Sequence, residues 1–547
     1  MTTTMTRRGF VAGGASFVIA GSMATAAFAD EIAWDYEADA IVVGTGPAGL
    51  SAAANAARNG ASVIAIDCND KIGGKGILAG GNLGIGGGTR MQIEAGYYED
   101  ADIIYEDRTR YNFRDDDTMT VKDIDGGEHT VGKWRRIAGC EDGPGMARAF
   151  ADRSLDTWNW LDELGCPFIQ ANVSKKSQVY RGSRYFTTTE ARPVDRDNPS
   201  GMNAGGAGLC WPMYDDAVAH GAEFILNCRM TGIVRENGAQ SGRVLGIQAE
   251  LDGKPVYMKA NKGVFLGTGS WNASKKLKVL FNPMLLKYPH VSGEPYVWNN
   301  GDGIEIAIGA GAAIATDRGC DWHGWHRHLG TRWHSILPPY GPLGAGENPD
   351  MSTLIFVNAE GKRFMDEETE LEGPAWCGGN PPFFFAQLCA NQTADEDGPI
   401  VWVVMDQVGY DALGTDCIPG ETVQEDMFAT AETIAELAEL IGVPTDALQE
   451  TVASYNACVA AGEDTEFGKK EMSMTIENAP FYALKWGIQK HNTLGGVMID
   501  PDAKVLNWDG EWIEGLYAAG EVAGNMDLIG LSKPIVFGRI AGENMAK

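Results

Sequence analysis

Ten cysteines are spread through the 547 residues, yet no two of them form a CxxC or CxxCH motif. Those spacings build zinc knuckles, iron–sulfur clusters and covalently held haem, so none of the three is expected. Irregular spacing in so long a chain also argues against a disulfide framework, and most of these thiols are expected to act as small buried apolar residues. Positive charge is scarce as well. Lys and Arg number 44 against 74 Asp and Glu, a net charge of −30, which excludes nucleic acid as a partner and leaves a basic protein partner open. Beyond residue 30 no apolar run approaches the roughly 20 residues that cross a bilayer, so a membrane would be met only through a partner. Four of the eight histidines, His323, His326, His328 and His334, crowd into one stretch. No Asp, Glu or Cys set completes a familiar ligand spacing around them, and no metal is expected.

What is present begins with "RRGFVAGGASFVIAGSMATAAFAD", from Arg7 to Asp30. A charged start, a soft Gly/Ala-rich run and the Ala27-Phe28-Ala29 pattern describe a removable export leader over residues 1–29. The paired Arg7 and Arg8 mark it as the twin-arginine kind, which carries cargo already folded inside the cell. An ordinary secretory leader with an incidental arginine pair is the alternative. Both predict a periplasmic or cell-surface protein.

The stretch "ADAIVVGTGPAGLSAAANAARNGASVIAIDCND" then supplies an apolar strand, a glycine turn, an Ala-rich helix and a second strand ending in an acid. That order is the one a dinucleotide site requires. Gly44 permits the tight turn, Gly46 lets backbone approach a pyrophosphate, and Gly49 lets helix pack on strand, with Pro47 and Ala48 opening the helix. Free N–H groups and the dipole at that helix start favour phosphate. Asp67, 18 residues past Gly49, stands where a carboxylate can hold ribose hydroxyls. The following "GGKGILAGGNLGIGGG" contributes Gly74, Gly76, Ala79, Gly80 and Gly81, a loop able to lie against a flat ring or a phosphate. The fingerprint occurs once, so no second Rossmann domain is available for NAD(P)H.

These residues resemble the FAD-dependent fumarate reductase and succinate dehydrogenase flavoprotein group, including its 3-ketosteroid dehydrogenase relatives. The likeness runs over most of residues 38–547 through "GGAGLCWPMYDDAVAHGAEFILNCRMTGIVREN", "GVFLGTGSWN", "NNGDGIEIAIGAGAAI", "IFVNAEGKRFMDEE", "HNTLGGVMIDPDAKVL" and "GLYAAGEVAGN", in the family's order. It implies an α/β fold: a Rossmann-like FAD-binding domain in two sequence parts, 30–321 and 491–547, around an inserted α+β clamp domain at 322–490. It also implies FAD as cofactor, with Met230 on the adenine side, Thr268 and Gly269 lining the cleft, and Asp302 and Glu521 as polar groups facing it. Leu531 and Ser532 of "LSKPIVFGR" would present backbone to the isoalloxazine. Gly538 and Gly542 lie on the closing helix, expected to start near that ring and to bring its positive dipole end there.

The resemblance implies reduction of a C=C bond by hydride transfer from flavin N5. Two of the family's arginines are nevertheless absent. The proton-donating arginine after "GKRF" is replaced by Leu371, and the loop "GEVAGNMDLIGLSKP" is several residues short and carries Lys533 as its sole cation. Without two guanidinium groups a dicarboxylate would enter with its charge largely unpaired, a penalty of several kcal/mol. Fumarate is therefore a poor substrate. Trp322, Trp325, Trp333, Tyr340, Trp376 and Phe383 to Phe385 offer flat apolar walls instead, suited to an aromatic or steroid-like enone or enoate, although any one of them could equally be clamp core. Proton delivery passes to Tyr340 with His491 beside it, as the ketosteroid relatives use tyrosine, while Arg327 or a neighbouring histidine polarises a carbonyl.

The sequence thus predicts an exported FAD reductase of an organic C=C acceptor, a small molecule, with electrons from a separate cytochrome or quinol-linked donor. Two alternatives stand beside it. One is a 3-ketosteroid-type dehydrogenase running in the oxidative direction; the other is a flavin electron-transfer subunit with no substrate of its own.

Overall fold

The computed structural model describes residues 32–95, 99–108, 113–122, 128–134, 145–171, 187–288, 299–316, 320–325, 351–367, 388–396, 398–413, 425–470, 472, 474–524 and 530–547. The elements that position the site are, in chain order, β1 (Tyr36–Val43), α1 (Pro47–Arg58), β2 (Val63–Ile66), α2 (Met146–Glu163), α3 (Ala207–Ala219), β3 (Glu223–Ile225), β4 (Cys228–Arg235), β5 (Val244–Leu251), β6 (Lys254–Leu266), α4 (Asp302–Gly309), β7 (Cys320–Trp325), β8 (Leu354–Asn358), β9 (Val401–Met405), β10 (Phe428–Ala431), α5 (Ile434–Ile441), α6 (Thr445–Ala461), β11 (Phe481–Thr493), β12 (Lys504–Leu506), β13 (Trp512–Ala518) and α7 (Ser532–Ala546).

The first sheet has eight strands, with β4-β5-β6-β1-β2-β3 in order, β13 beside the end of β6, and β12 beside β13. The long strand β6 makes this possible by changing partners. Its first half pairs antiparallel with β5, from Lys254 opposite Leu251 to Lys259 opposite Gly246. Its last three residues, Val264 to Leu266, pair parallel with Leu516 to Ala518 of β13. On its other side β1 runs parallel to it, and β2 runs parallel to β1. The carboxyl ends of β1, β2, β6 and β13 therefore share one edge, and in open α/β sheets that edge is where ligands bind.

α1 is buried from Pro47 to Ala57, because the sheet lies on one side and α7 and α3 on the other. Small residues set the separation. A Cβ on Gly538 of α7 would lie 2.4 Å from the carbonyl oxygen of Ala48, and one on Gly542 would lie 2.4 Å from that of Ala52. Two glycines four residues apart thus rest on two alanines four residues apart, one helical turn each. Ser51 Oγ adds a 2.7 Å hydrogen bond to the Ile535 carbonyl. The last helix of the chain buttresses the helix after the first strand, and Gly538 and Gly542 serve this contact. From the same segment it is Leu531, Ser532 and Pro534 that reach the cavity described below.

The second sheet is antiparallel, with the order β7-β11-β9-β8 and β10 also against β11. The chain enters it through β7 and leaves through β11, and these two strands are neighbours, Cys320 opposite Thr493 and Trp325 opposite Gly487. The boundaries expected at 321/322 and 490/491 fall within this strand pair. The amphipathic α5 starts on a capping box, Thr433 with Glu436, and ends at Gly442 in the left-handed region, φ 72°. With α6 it covers the face formed by Ile355, Val357, Val404 and Ala483.

Beside this face the "GKRF" turn is locked by buried charge. Arg363 Nε and Nη2 donate to Glu367 at 3.0 and 2.9 Å, Nη2 also reaches Asp464 at 2.8 Å, and Lys469 Nζ stands 3.6 Å from Glu367 while donating to the Leu354 carbonyl. The guanidinium is flanked by the rings of Tyr455 and Phe467 at 5.3 and 5.0 Å. Two cations against two carboxylates cancel, which is the condition for keeping four charges out of water.

Candidate active site

The shared edge of the parallel strands opens into a cavity of about 440 Å³. Its floor is the turn between β1 and α1. Gly44 takes φ +95°, and a Cβ there would sit 2.4 Å from the Gly267 carbonyl oxygen. Gly49 lies behind the turn, where a Cβ would meet the Gly44 carbonyl oxygen at 1.7 Å. Gly46 differs from both. Its φ is an ordinary −68°, and the nearest protein atom to a Cβ would be Gly73 O at 4.0 Å. Neither backbone strain nor a protein neighbour calls for glycine at 46; the open space in front of it does.

Asp67 closes the end of β2 and is 6% exposed. Its Oδ2 accepts from Thr45 N and Thr45 Oγ1, both at 2.7 Å, and its Oδ1 accepts from Asn69 N and Nδ2, both at 3.0 Å. A carboxylate offers about four lone-pair positions, and these four donors use them. Its neighbour Cys68 also faces the cavity, with a thiol pKa pushed up to about 11 by burial and by the Asp67 charge. Across from them Arg229 and Asp302 pair at 2.5 Å, joining β4 to α4, and Met230 lies next along β4.

The glycine-rich loop after β2 forms a second wall. Gly76 presses on Pro47, where a Cβ would come within 2.2 Å of the ring, and Gly81 on Thr189 Oγ1. Gly205 and Gly206 close on the Gly80 and Gly76 carbonyls from behind. Gly84 N donates to Ser532 Oγ at 2.8 Å, fixing the loop to the start of α7. Glu521, also on the cavity wall, accepts through Oε1 from Thr493 N at 2.9 Å, so the last residue of β11 is tied to the turn after β13. Lys75 Nζ stands 3.5 Å from Glu521 Oε1 and 3.4 Å from Asn492 Oδ1. The second sheet thus reaches the cavity through Asn492.

Residues 122–530 match the family described as FAD binding domain, and residues 39–117 match that described as FAD dependent oxidoreductase. The chain is an FAD-binding flavoprotein. It is 28% identical to the NADH:acrylate oxidoreductase of Vibrio harveyi over 92% of its own length and 50% of that protein's. It is 27% identical to the fumarate reductase (cytochrome) of Shewanella frigidimarina, over 93% of this chain and 77% of that one. With the urocanate reductase of Eggerthella lenta the identity is 26%, over 93% and 75%. The chain therefore spans half the length of the acrylate enzyme and about three quarters of the other two. In fold it superposes on the 3-ketosteroid-Δ4-(5α)-dehydrogenase of Rhodococcus jostii RHA1 with a TM-score of 0.65 at 23% identity, covering 95% of this chain and 99% of that one. The open conformation of a flavocytochrome c3 fumarate reductase gives a TM-score of 0.63 at 24% identity, covering 94% and 78%.

The cavity suits the cofactor of this family. Gly46 and Gly80 leave backbone bare toward it: a Cβ on Gly80 would meet nothing within 4 Å, and no protein atom approaches one on Gly46 closer than 4.0 Å. Such side chains would project into the space a flavin nucleotide needs. All the residues expected at the flavoprotein's cofactor line this cavity except Gly49, which sits behind its turn. Lys75, Asn69, Asn82, Arg229 and Asn299 also line it and were not expected from the sequence. Lys75 lies inside the glycine-rich loop, so its position was legible; Asn492, which stands where the resemblance has a second histidine after His491, lines the cavity as well. His491 lies on β11, next to Asn492. Tyr340, Arg327, Leu371 and the leader 1–29 fall outside the described residues, as do Trp333, Trp376 and Phe383 to Phe385. Lys533 Nζ donates to the Ala523 carbonyl at 2.6 Å and is buried at the start of α7. Tyr482 stacks on Tyr410 and donates to Gln407 Oε1, and it does not line the cavity. Among the described residues no three His, Cys, Asp or Glu side chains converge as metal ligands, and no helix is long and apolar enough to cross a membrane.

Proposed function

We propose that this flavoprotein is an exported oxidoreductase that reduces the C=C bond of an organic acceptor, an enone or enoate of aromatic or steroid-like shape rather than fumarate, with electrons from a separate cytochrome or quinol-linked donor. The observation that carries the reading is a cavity whose described lining includes the nucleotide fingerprint, in a chain with Leu371 and a short 524–534 loop at the positions where the resemblance implies the arginines of fumarate-reducing members. Relatives named as acrylate, fumarate and urocanate oxidoreductases or reductases support unsaturated acids as a class. A 3-oxosteroid 1-dehydrogenase of Mycolicibacterium smegmatis, 28% identical over 59% of the chain, supports ring ketones.

Bound FAD supplies two-electron hydride chemistry; the protein's residues orient and protonate. Gly44, Gly46 and the N–H groups opening α1 receive the pyrophosphate, and Asp67 fixes Thr45 at that turn. Thr268, Gly269, Leu531 and Ser532 line the remainder, with Asp302 and Glu521 as its polar ends. Arg327 polarises the acceptor carbonyl, and Tyr340, with His491 beside it, delivers the proton to the neighbouring carbon, since a phenol is protonated at neutral pH. The leader places this reaction outside the cytoplasm, and the cofactor is loaded before export.

The test is to reduce the purified holoprotein with dithionite and follow flavin reoxidation by a panel of aromatic and steroidal enones, enoates and fumarate. Ring-bearing enones should reoxidise it and fumarate should not. A colourless protein after FAD loading, or brisk turnover of fumarate, overturns the proposal; an unchanged rate in Tyr340→Phe removes Tyr340 from it.

A further inference from the structure

The described walls of the cavity carry a net negative charge, and the nucleotide it is read to hold is itself an anion. Its described titratable walls contribute the carboxylates of Asp67, Asp302 and Glu521 against the cations Lys75 and Arg229, a balance of one negative charge, inside a chain of net charge −30. FAD adds a pyrophosphate, which at neutral pH carries about two more. The dipole of one helix start contributes only about half a charge in return. A cation lining the cavity offsets part of that charge, and the two found there, Lys75 and Arg229, are placed differently. Arg229 is joined to Asp302 at 2.5 Å, a closer pairing than the 3.5 Å between Lys75 and Glu521. Lys75 is flanked by two glycines laid across the start of α1. A Cβ on Gly74 would lie 3.3 Å from Gly46 Cα, and a Cβ on Gly76 would lie 2.2 Å from the Pro47 ring.

We propose that Lys75 is the counter-charge of the pyrophosphate, a phosphate ligand outside the glycine fingerprint that binds the FAD phosphates while staying anchored at the Glu521 and Asn492 wall. This rests on the flavin reading of the cavity and adds to it a residue that the fingerprint does not contain. The glycines on either side explain why the loop can press so close: backbone at 74 and 76 occupies the room that side chains would take, and the ammonium at 75 projects into the cavity with its side chain 12% exposed. A charge-assisted contact of this kind corresponds to about 10- to 100-fold in affinity.

The experiment compares binding of FAD and of riboflavin, which has the ring and ribityl chain but no phosphate, to apoprotein prepared from the wild-type holoprotein and from Lys75→Met, Lys75→Gln and Lys75→Arg. Quenching of flavin fluorescence reports the affinity, and thermal unfolding of each apoprotein reports its fold. Expected are a loss of FAD affinity of about 10-fold or more in Lys75→Met and Lys75→Gln, unchanged riboflavin affinity, near wild-type FAD affinity in Lys75→Arg, and a shallower dependence of FAD binding on NaCl in the two neutral variants. Wild-type FAD affinity in Lys75→Met and Lys75→Gln overturns the proposal, as does an equal loss for FAD and riboflavin, which would place Lys75 at the ring. Failure of the wild-type apoprotein to bind FAD instead overturns the flavin reading of the cavity itself.

Discussion

Asp67→Asn separates two jobs that one carboxylate could perform. In the structure its oxygens accept from Thr45 N, Thr45 Oγ1, Asn69 N and Asn69 Nδ2 at 2.7 to 3.0 Å, in a site only 6% exposed. Asparagine keeps the shape but has one acceptor oxygen, and whichever way the amide is turned its NH₂ confronts two donors. Two hydrogen bonds to a charged acceptor are lost, at about 1.5–3 kcal/mol each, or roughly 3–6 kcal/mol. If the NH₂ faces Thr45, its hydroxyl can rotate and accept, which brings the expected cost to the lower end, about 3 kcal/mol. For a chain of this size, whose unfolding entropy is about 1.1 kcal/mol/K, that lowers the unfolding temperature of the FAD-free protein by roughly 3 °C. The assay is thermal unfolding of apoprotein followed by circular dichroism, with FAD affinity measured in parallel. If the Asp67→Asn apoprotein unfolds with the wild type while FAD affinity falls, the carboxylate acts on the ribose and the reasoning that it organises the Thr45 turn is wrong.

Other outcomes follow from the same geometry. The Cys68 thiol, pushed up to about 11 by burial and Asp67 against an ordinary 9.0, should alkylate about 100-fold more slowly at pH 8 than an unshifted thiol of equal access, with a rate still rising above pH 10; peptide mapping after iodoacetamide that shows a plateau near pH 9 would refute it. The Asp464 carboxyl is held below its usual 3.8 because Arg363 outweighs the burial that alone would raise it, and Asp406 is held below 3.8 because N–H groups of Asn478, Gly409 and Glu477 do the same. A lowered folded-state value means that this stabilisation is complete above pH 3.8 and disappears as the pH falls through the folded values, so urea midpoints should be insensitive to these groups near neutrality and drop below pH 3.8. Asp464→Asn should remove about 3–5 kcal/mol at pH 7, since it leaves the Arg363 charge under-compensated in the interior; a change below 1 kcal/mol would count against the lock. Gly46→Ala should leave apoprotein stability unchanged to about 0.5 kcal/mol and weaken FAD binding, whereas Gly49→Ala should prevent stable folding, its Cβ falling 1.7 Å from a backbone oxygen; equal behaviour of the two would contradict the cavity assignment.

The β1-α1-β2 unit was readable because each of its signals is local: an apolar strand, a glycine turn, an alanine helix and an acid at the end of the next strand lie within 33 residues. The helices α5 and α6 are legible for the same reason: "TAETIAELAELIG" and "PTDALQETVASYNACV" carry apolar residues at helical spacing with Thr or Asp near each start. What escaped the sequence was pairing over distance. Lys75 meets Asn492 across 417 residues of chain, and nothing in "GGKGILAGG" or "KHNTLGG" announces that the two loops face one another. The expectation for Asp67 considered its position and not its neighbours, whereas Thr45 and Asn69 engage all of its acceptor positions. The sequence expects the helix carrying Gly538 and Gly542 to start near the ring, and Leu531, Ser532 and Pro534 at its start do line the cavity; what the two glycines do on that helix, packing on α1, is shown only by the 2.4 Å approaches to the Ala48 and Ala52 carbonyls.

One strand carries the consequence for function. β11 begins in the core of the antiparallel sheet, where Ala483 lies opposite both Val404 and Ala429, and it ends at Thr493, whose N–H is held by Glu521 on the cavity wall. The antiparallel sheet and the cavity are therefore joined by continuous, hydrogen-bonded backbone as well as by side chains. The thirteen residues of this strand connect the antiparallel sheet to Asn492 and Thr493, and through them to Lys75 and Glu521. Lys75 and the antiparallel sheet are thus coupled through one element. A strand in a paired sheet is stiff along its axis, so the coupling needs no separate hinge.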